Sequence, residues 1–189
     1  MEILDIVDEK GNPTGETVPR ERAHEKGIRH RTAHVWIFRK KDGKVQILLQ
    51  KRSDNKDSDP GCYDISSAGH IPAGSDYIPS AVRELKEELG VEINESELIY
   101  CGQRHFQFEK EFYGKMFRDN QVSNIYALWL DREEHAFTLQ EEEVSAVRWM
   151  EFYDCMEAVR ENRIPNCIYI EELEILERAL KINCQEKIS

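Results

Sequence analysis

The chain contains no apolar run approaching the ~20 residues a membrane-spanning helix needs. No signal-peptide pattern opens it, so a cytoplasmic protein is expected. It also lacks any C-x-x-C pair: Cys62, Cys101, Cys155, Cys167 and Cys184 stand scattered. That odd, dispersed set argues against a disulfide framework and for free thiols in a reducing compartment. An excess of positive charge is missing as well. With 26 Lys+Arg against 37 Asp+Glu the net charge is −11, which would repel a nucleic-acid duplex. A small anion remains acceptable where bound cations reverse the local sign. Repeats, linkers and low-complexity tracts are absent, so residues 1–189 are expected to form one domain.

What is present reads as alternating strands and helices. MEILDIVDEKGNPTGETV predicts a strand, a turn at Gly11-Asn12-Pro13 and a second strand. A short charged helix is expected over 19–27, ended by Gly27. AHVWIF (33–38) and VQILLQ (45–50) flank the turn KKDG and predict a hairpin. YDISSAGH reads as a strand ending in small residues. Further strands are expected at 97–108, 121–130 and 144–150, and helices at 151–160 and 166–182. Between two of these strands, 109–120 reads as an excursion whose Phe112, Tyr113 and Phe117 could cover a base or an apolar group. Trp36, Trp129 and Trp149 lie in apolar strands and are core candidates. The sum is a mixed α/β chain with a helix-covered sheet, and its amphipathic ends are compatible with a homodimer.

The densest chemistry lies in GHIPAGSDYIPSAVRELKEELGV, residues 69–91. Asp76 is placed to cap a helix, Pro79 is tolerated in its first turn, and Gly90 fits its end. On that helix Glu84, Glu87 and Glu88 stand at i, i+3 and i+4, so their carboxylates share one face. Val82, Leu85 and Leu89 occupy another face, available for burial. Like charges so spaced repel, and a divalent cation converts repulsion into attraction. Hard oxygen donors suit Mg2+ or Mn2+. Arg83, four residues before Glu87, can orient a carboxylate. Taken alone, such a run is usually a solvated face.

The stretch resembles the Nudix box: glycine, five residues, glutamate, seven residues, then Arg-Glu-apolar-x-Glu-Glu-x-Gly-apolar. Gly69, Arg83, Glu84, Leu85, Glu87, Glu88, Gly90 and Val91 stand at the prescribed spacing, and Ser75 replaces the first glutamate. The resemblance implies an α/β/α sandwich with a mixed β-sheet. It implies metal ions on Glu84, Glu87 and Glu88, with Glu84, Glu87 and Arg83 as the catalytic group. The implied reaction is hydrolysis of a diphosphate linkage in a nucleoside diphosphate derivative or similar small metabolite. Nudix proteins often carry a further acid in a loop such as Glu141-Glu142-Glu143.

Outside the box, HRTAHVWIF, LLQKRSDNKDSDPG and the A-G-H triplet resemble the isopentenyl-diphosphate isomerase branch of that superfamily. This implies His30 and His70 as metal ligands, and Arg52 and Lys56 as residues gripping a diphosphate. His24 and His34 rank lower and read as polar residues satisfied in the fold. The isomerase's proton-transferring cysteine falls on Ala68, and its second acid on Gln121. Neither side chain can serve as a general acid. Hydrolysis is therefore the expected activity; an isomerase-like protein and a non-catalytic nucleotide-binding regulator are the alternatives.

Overall fold

The computed structural model describes residues 1–56 and 58–182; Cys184 lies outside them. β1 (Ile3–Val7) and β2 (Pro13–Pro19) pair as a small antiparallel sheet, followed by α1 (Arg20–Lys26). Gly27 ends that helix at φ 67, in the left-handed region that favours glycine. The main sheet holds β3 (His30–Lys41), β4 (Lys44–Arg52), β5 (Tyr63–Asp64), β6 (Ser67–His70), β7 (Ile99–Phe112), β8 (Lys115–Trp129) and β9 (Val144–Glu151). Helices α2 (Tyr77–Leu89), α3 (Phe152–Arg160) and α4 (Ile170–Leu180) cover it. β3 and β8 run parallel and the other pairs antiparallel, so the sheet is mixed.

Alternation along the strands sorts side chains into two cores. Ala33, Val35 and Ile37 of β3 pack with Leu85 and Leu89 of α2, whereas Trp36 and Phe38 pack with Phe152, Leu173 and Leu176 of α3 and α4. Leu85 and Leu89 are fully buried, and each contributes roughly 1.5–3 kcal/mol by leaving water. The same alternation governs β6. Ser67 bonds Glu88 of α2, and Ala68 packs into the opposite core. The α/β/α sandwich is thus as expected.

Three expectations change. Residues 109–120 form no excursion: β7 and β8 make one continuous hairpin whose turn is Tyr113-Gly114, with φ 50 and 76. Phe106, Phe108 and Phe112 fall on alternate positions, as a strand requires. YDISSAGH splits into two short strands, because Asp64 Oδ1 accepts the Ile65 N–H and Ser66 Oγ bonds both Ile37 N and Leu48 O. Trp129 is 39% exposed, since it closes β8 at the sheet end, while Trp36 and Trp149 are buried.

Candidate active site

Helix α2 brings its acids against β6. Glu88 is buried and its Oε2 accepts a hydrogen bond from Ser67 Oγ at 2.7 Å. Glu84 lies against Gly69, where any β-carbon would overlap its side chain, so the box glycine is required by close approach. Arg83 spans two acids, with Nη2 donating to Glu84 Oε1 at 2.7 Å and Nη1 to Glu87 Oε2 at 3.4 Å. Glu87 is the exposed member. Gly90 turns the chain away at φ 63, and the following loop returns: Thr138 N–H donates to Leu89 O and Gln140 N–H to Glu88 O. That return sets Glu143 beside Lys56, with which it forms an ion pair.

Burial pushes the Glu88 carboxyl up to about 8, and it raises Glu84 as well; the negative charge of Glu143 adds to both. Both are carboxyls whose burial outweighs the nearby positive charge of Arg83 and Lys56, an electrostatic condition a divalent cation relieves. The donor set is all oxygen, which fits Mg2+ or Mn2+. Arg52 is placed differently from a free anion grip. Its Nη1 donates to Asp64 Oδ2 at 2.9 Å, and its Nε and Nη2 donate to Ser58 O. It shapes the loop after β4, while Lys56, paired with Glu143, is a second cation near the acids besides Arg83.

A second cluster lies on the other side of β6. His24 of α1, His30 of β3 and His70 of β6 each present a ring nitrogen, all within 4.8 Å of one another. Asp119 of β8 joins them, its Oδ1 lying 3.7 Å from His24 Nε2 and 3.5 Å from His30 Nε2. His30 Nδ1 is 2.8 Å from Ile28 O and therefore carries the proton, leaving a lone pair on Nε2. That lone pair faces Asp119 Oδ1, and neither buried atom has a hydrogen-bond partner among the described residues. Gln121 Nε2 donates to the other oxygen, Asp119 Oδ2, at 2.6 Å. Acceptors aimed at one another without a donor suit a cation. Burial lowers His24 to about 3, His30 to about 4 and His70 well below its ordinary value. Burial also lifts Asp119 to about 6. The imidazoles are thus neutral near pH 7, the form that ligates metals.

His30 and His70, which the resemblance implies as ligands, stand together here, and His24, which ranks lower from sequence, stands with them. His24 reaches the cluster only because α1 folds against β8, with Phe117 stacked on its ring at 4.4 Å. Asp119 was legible in principle, two positions before Gln121 on the same strand face. His34 belongs elsewhere: its Nδ1 lies 2.9 Å from Glu172 Oε1, a carboxylate that also accepts from Trp36 Nε1 and Arg104 Nη1.

The sandwich, the glycine beneath Glu84 and the acidic helix define a Nudix-type site. A sequence model described as the NUDIX domain matches residues 28–166, and the chain belongs to this family. It is 43% identical over 156 residues to "Nudix hydrolase 3" of Arabidopsis thaliana, covering 80% of this chain but 19% of that protein. It is 39% identical over 143 residues to an uncharacterized Nudix hydrolase of Clostridium acetobutylicum, covering 76% of this chain and 66% of the relative. The chain therefore spans less than two thirds of each of these relatives. In fold it resembles the crystal structure of DR0079 from Deinococcus radiodurans, with TM-score 0.66, 20% identity, and 94% and 99% of the two chains covered. Among the described residues no helix is long and apolar enough to cross a membrane.

Proposed function

We propose that this protein is a metal-dependent hydrolase of a diphosphate linkage in a nucleoside diphosphate derivative or similar small metabolite. The carrying observation is the packing of Glu84 and Glu88 against β6 beside the exposed Glu87 on one helix face, with burial raising both packed carboxyls despite Arg83 on Glu84 and Lys56 near Glu88. Glu84, Glu87 and Glu88 would hold Mg2+ or Mn2+, which when bound neutralises phosphate oxygens and acidifies a water. Arg83 fixes the rotamers of Glu84 and Glu87 through its two hydrogen bonds. Lys56 can exchange its partner Glu143 for a phosphate oxygen, freeing that carboxylate to accept a proton from water. The setting we infer is cytoplasmic, with a small diphosphate rather than a nucleic-acid duplex as partner.

The test is phosphate or nucleotide release from a panel of diphosphates with Mg2+. Activity in the wild type that is lost in Glu87→Gln and Glu88→Gln supports the reading; equal activity in all three removes it from these carboxylates. The histidine cluster favours a likeness to the isomerase branch in metal ligation. It does not extend to that branch's proton transfer, because Ala68 has no ionisable group and the Gln121 amide is bonded to Asp119 and Thr32. Conversion of isopentenyl diphosphate to its isomer is therefore not expected. Tight nucleotide binding with no product after prolonged incubation would instead mark a regulator.

A further inference from the structure

Helix α2 enters the site from the loop Ile71–Asp76, and its own residues hold that end weakly. Asp76 occupies the N-cap position without a side-chain hydrogen bond to the helix. The grip comes from outside the box. Asp5 of β1 and Arg31 of β3 form a buried ion pair, Nη2 to Oδ2 at 2.8 Å, with side chains 11% and 4% exposed respectively. The same Asp5 oxygen accepts the Gly74 N–H at 3.0 Å, and the same Arg31 nitrogen donates to Ser75 O at 2.9 Å. Arg31 Nε has no hydrogen-bond partner among the described residues, so the directional grip runs through Nη2. The guanidinium also lies 5.4 Å from the ring centroid of Tyr77, the first residue of α2. Backbone contacts line the same path: Ala73 N–H donates to Ile3 O at 2.8 Å, and Leu4 bridges Pro72.

We propose that Asp5 and Arg31 are positioning residues for the acidic helix. They clamp Gly74 and Ser75 from the N-terminal hairpin and β3, at the point where this chain has a serine and no carboxylate. The inference rests on the hydrolase reading. At its far end α2 is held by Glu88 on Ser67 and by the returning loop. Loosening the near end therefore lets Arg83 and Glu84 shift over Gly69, while the C-terminal anchor stays. A misplacement of this kind acts on turnover more than on substrate affinity.

Arg31→Lys keeps the charge but loses the planar bridge between Asp5 and Ser75, and Asp5→Asn removes the ion pair. Each is expected to lower kcat about tenfold and to raise the Mg2+ concentration for half activation, with KM within about threefold. Val18→Ala serves as the packing control, since Val18 packs with Leu4 and Ala23 in the same hairpin but its apolar side chain can form neither an ion pair nor a hydrogen bond with Gly74 or Ser75. Val18→Ala should leave kcat and the Mg2+ requirement unchanged at temperatures where circular dichroism shows all variants folded. Unchanged kinetics in Arg31→Lys, or an equal loss in Val18→Ala, would overturn the proposal. Exchange of the Gly74 amide gives a readout independent of activity. It should accelerate at least about tenfold in Arg31→Lys and Asp5→Asn, and an unchanged rate likewise overturns the clamp. Should Asp5→Asn fail to fold, Arg31→Lys carries both measurements. Wild type that hydrolyses no diphosphate, with Gly74 exchange responding as stated, would refute the hydrolase reading and leave the clamp standing.

Discussion

The acidic helix and the histidine cluster are served by opposite faces of one four-residue strand, and they differ in almost every physical respect. Ser67 and Gly69 of β6 meet Glu88 and Glu84, while His70 turns to His24 and His30. On the first side the donors are oxygens, one of them on the exposed Glu87, with Arg83 and Lys56 close by. On the second side the donors are chiefly neutral ring nitrogens, buried on His24 and His30 and half-buried on His70, with one carboxylate oxygen unpaired among the described residues. Hard oxygens suit Mg2+, and imidazoles suit softer ions such as Zn2+. The period of two along a strand can thus hold two ligand sets a short distance apart without mixing them.

The sharpest way to break this comparison is a double dissociation. Glu87→Gln and Glu88→Gln should lower Mg2+-dependent hydrolysis at least about 100-fold, since a carboxylate on the ion is worth several kcal/mol. His30→Ala should leave the same rate within about tenfold. Equal losses in steady-state assays would show one composite centre rather than two.

Metal stabilisation reads the other face. At about 100 times its dissociation constant, Zn2+ added to chelator-treated protein should stabilise it by about 2.7 kcal/mol. For a chain of this size that is a rise in Tm of roughly 5–10 °C. Scanning calorimetry should show the rise in Glu87→Gln and not in His30→Ala or His70→Ala. A rise that survives both histidine variants would separate Zn2+ binding from this cluster.

The two faces also carry opposite pH signs in metal-free protein. Burial holds His24 at about 3 against its ordinary 6.5, so its contribution to stability is fully present above 6.5 and lost as pH falls toward 3. Burial holds Glu88 at about 8 against its ordinary 4.5, so its contribution is present below 4.5 and lost as pH rises through 8. Urea unfolding from pH 3 to 9 with chelator should show stability falling as pH rises from 6.5 to 8, the alkaline limb, and falling as pH drops from 4.5 toward 3, the acid limb. Between 4.5 and 6.5 the two slopes oppose each other. Glu88→Gln should flatten the alkaline limb and His24→Gln the acid limb; a change on the same limb in both would merge the two environments.

The acidic side was legible in the sequence because its spacing is local. Three glutamates within five positions share a helix face whatever the rest of the chain does. The histidine side is assembled from α1, β3, β6 and β8, so only tertiary structure brings it together. His30 and His70 were reachable through resemblance; His24 depended on the docking of a seven-residue helix. The turn at Tyr113-Gly114 was missed for a related reason. Aromatic residues at alternating positions fit a strand or a covering loop equally, and pairing of β7 with β8 over thirteen registered positions decides it. Arg52 and Lys56 read alike as loop cations, and only the acceptors around them, Asp64 and Ser58 for one and Glu143 for the other, separate their roles.

The smallest expected effect concerns Ser75, where the chain departs from the box. The residue is half-buried, and its carbonyl is held by Arg31 at 2.9 Å. A glutamate there would bring a carboxylate near a guanidinium whose Nε has no partner among the described residues. New charge at this point would lie on a residue whose carbonyl already holds Arg31, and the gain would be at most a charge-assisted hydrogen bond in a partly solvated loop. Ser75→Glu should leave kcat/KM equal or up to about threefold higher, because such a pair is worth under about 1 kcal/mol when water reaches it. The Mg2+ requirement should stay equal or fall, and Zn2+ stabilisation on the opposite face of β6 should not change. A loss beyond about tenfold in kcat/KM would mean that the serine hydroxyl itself takes part, and that the clamp on its carbonyl is tuned to the smaller side chain.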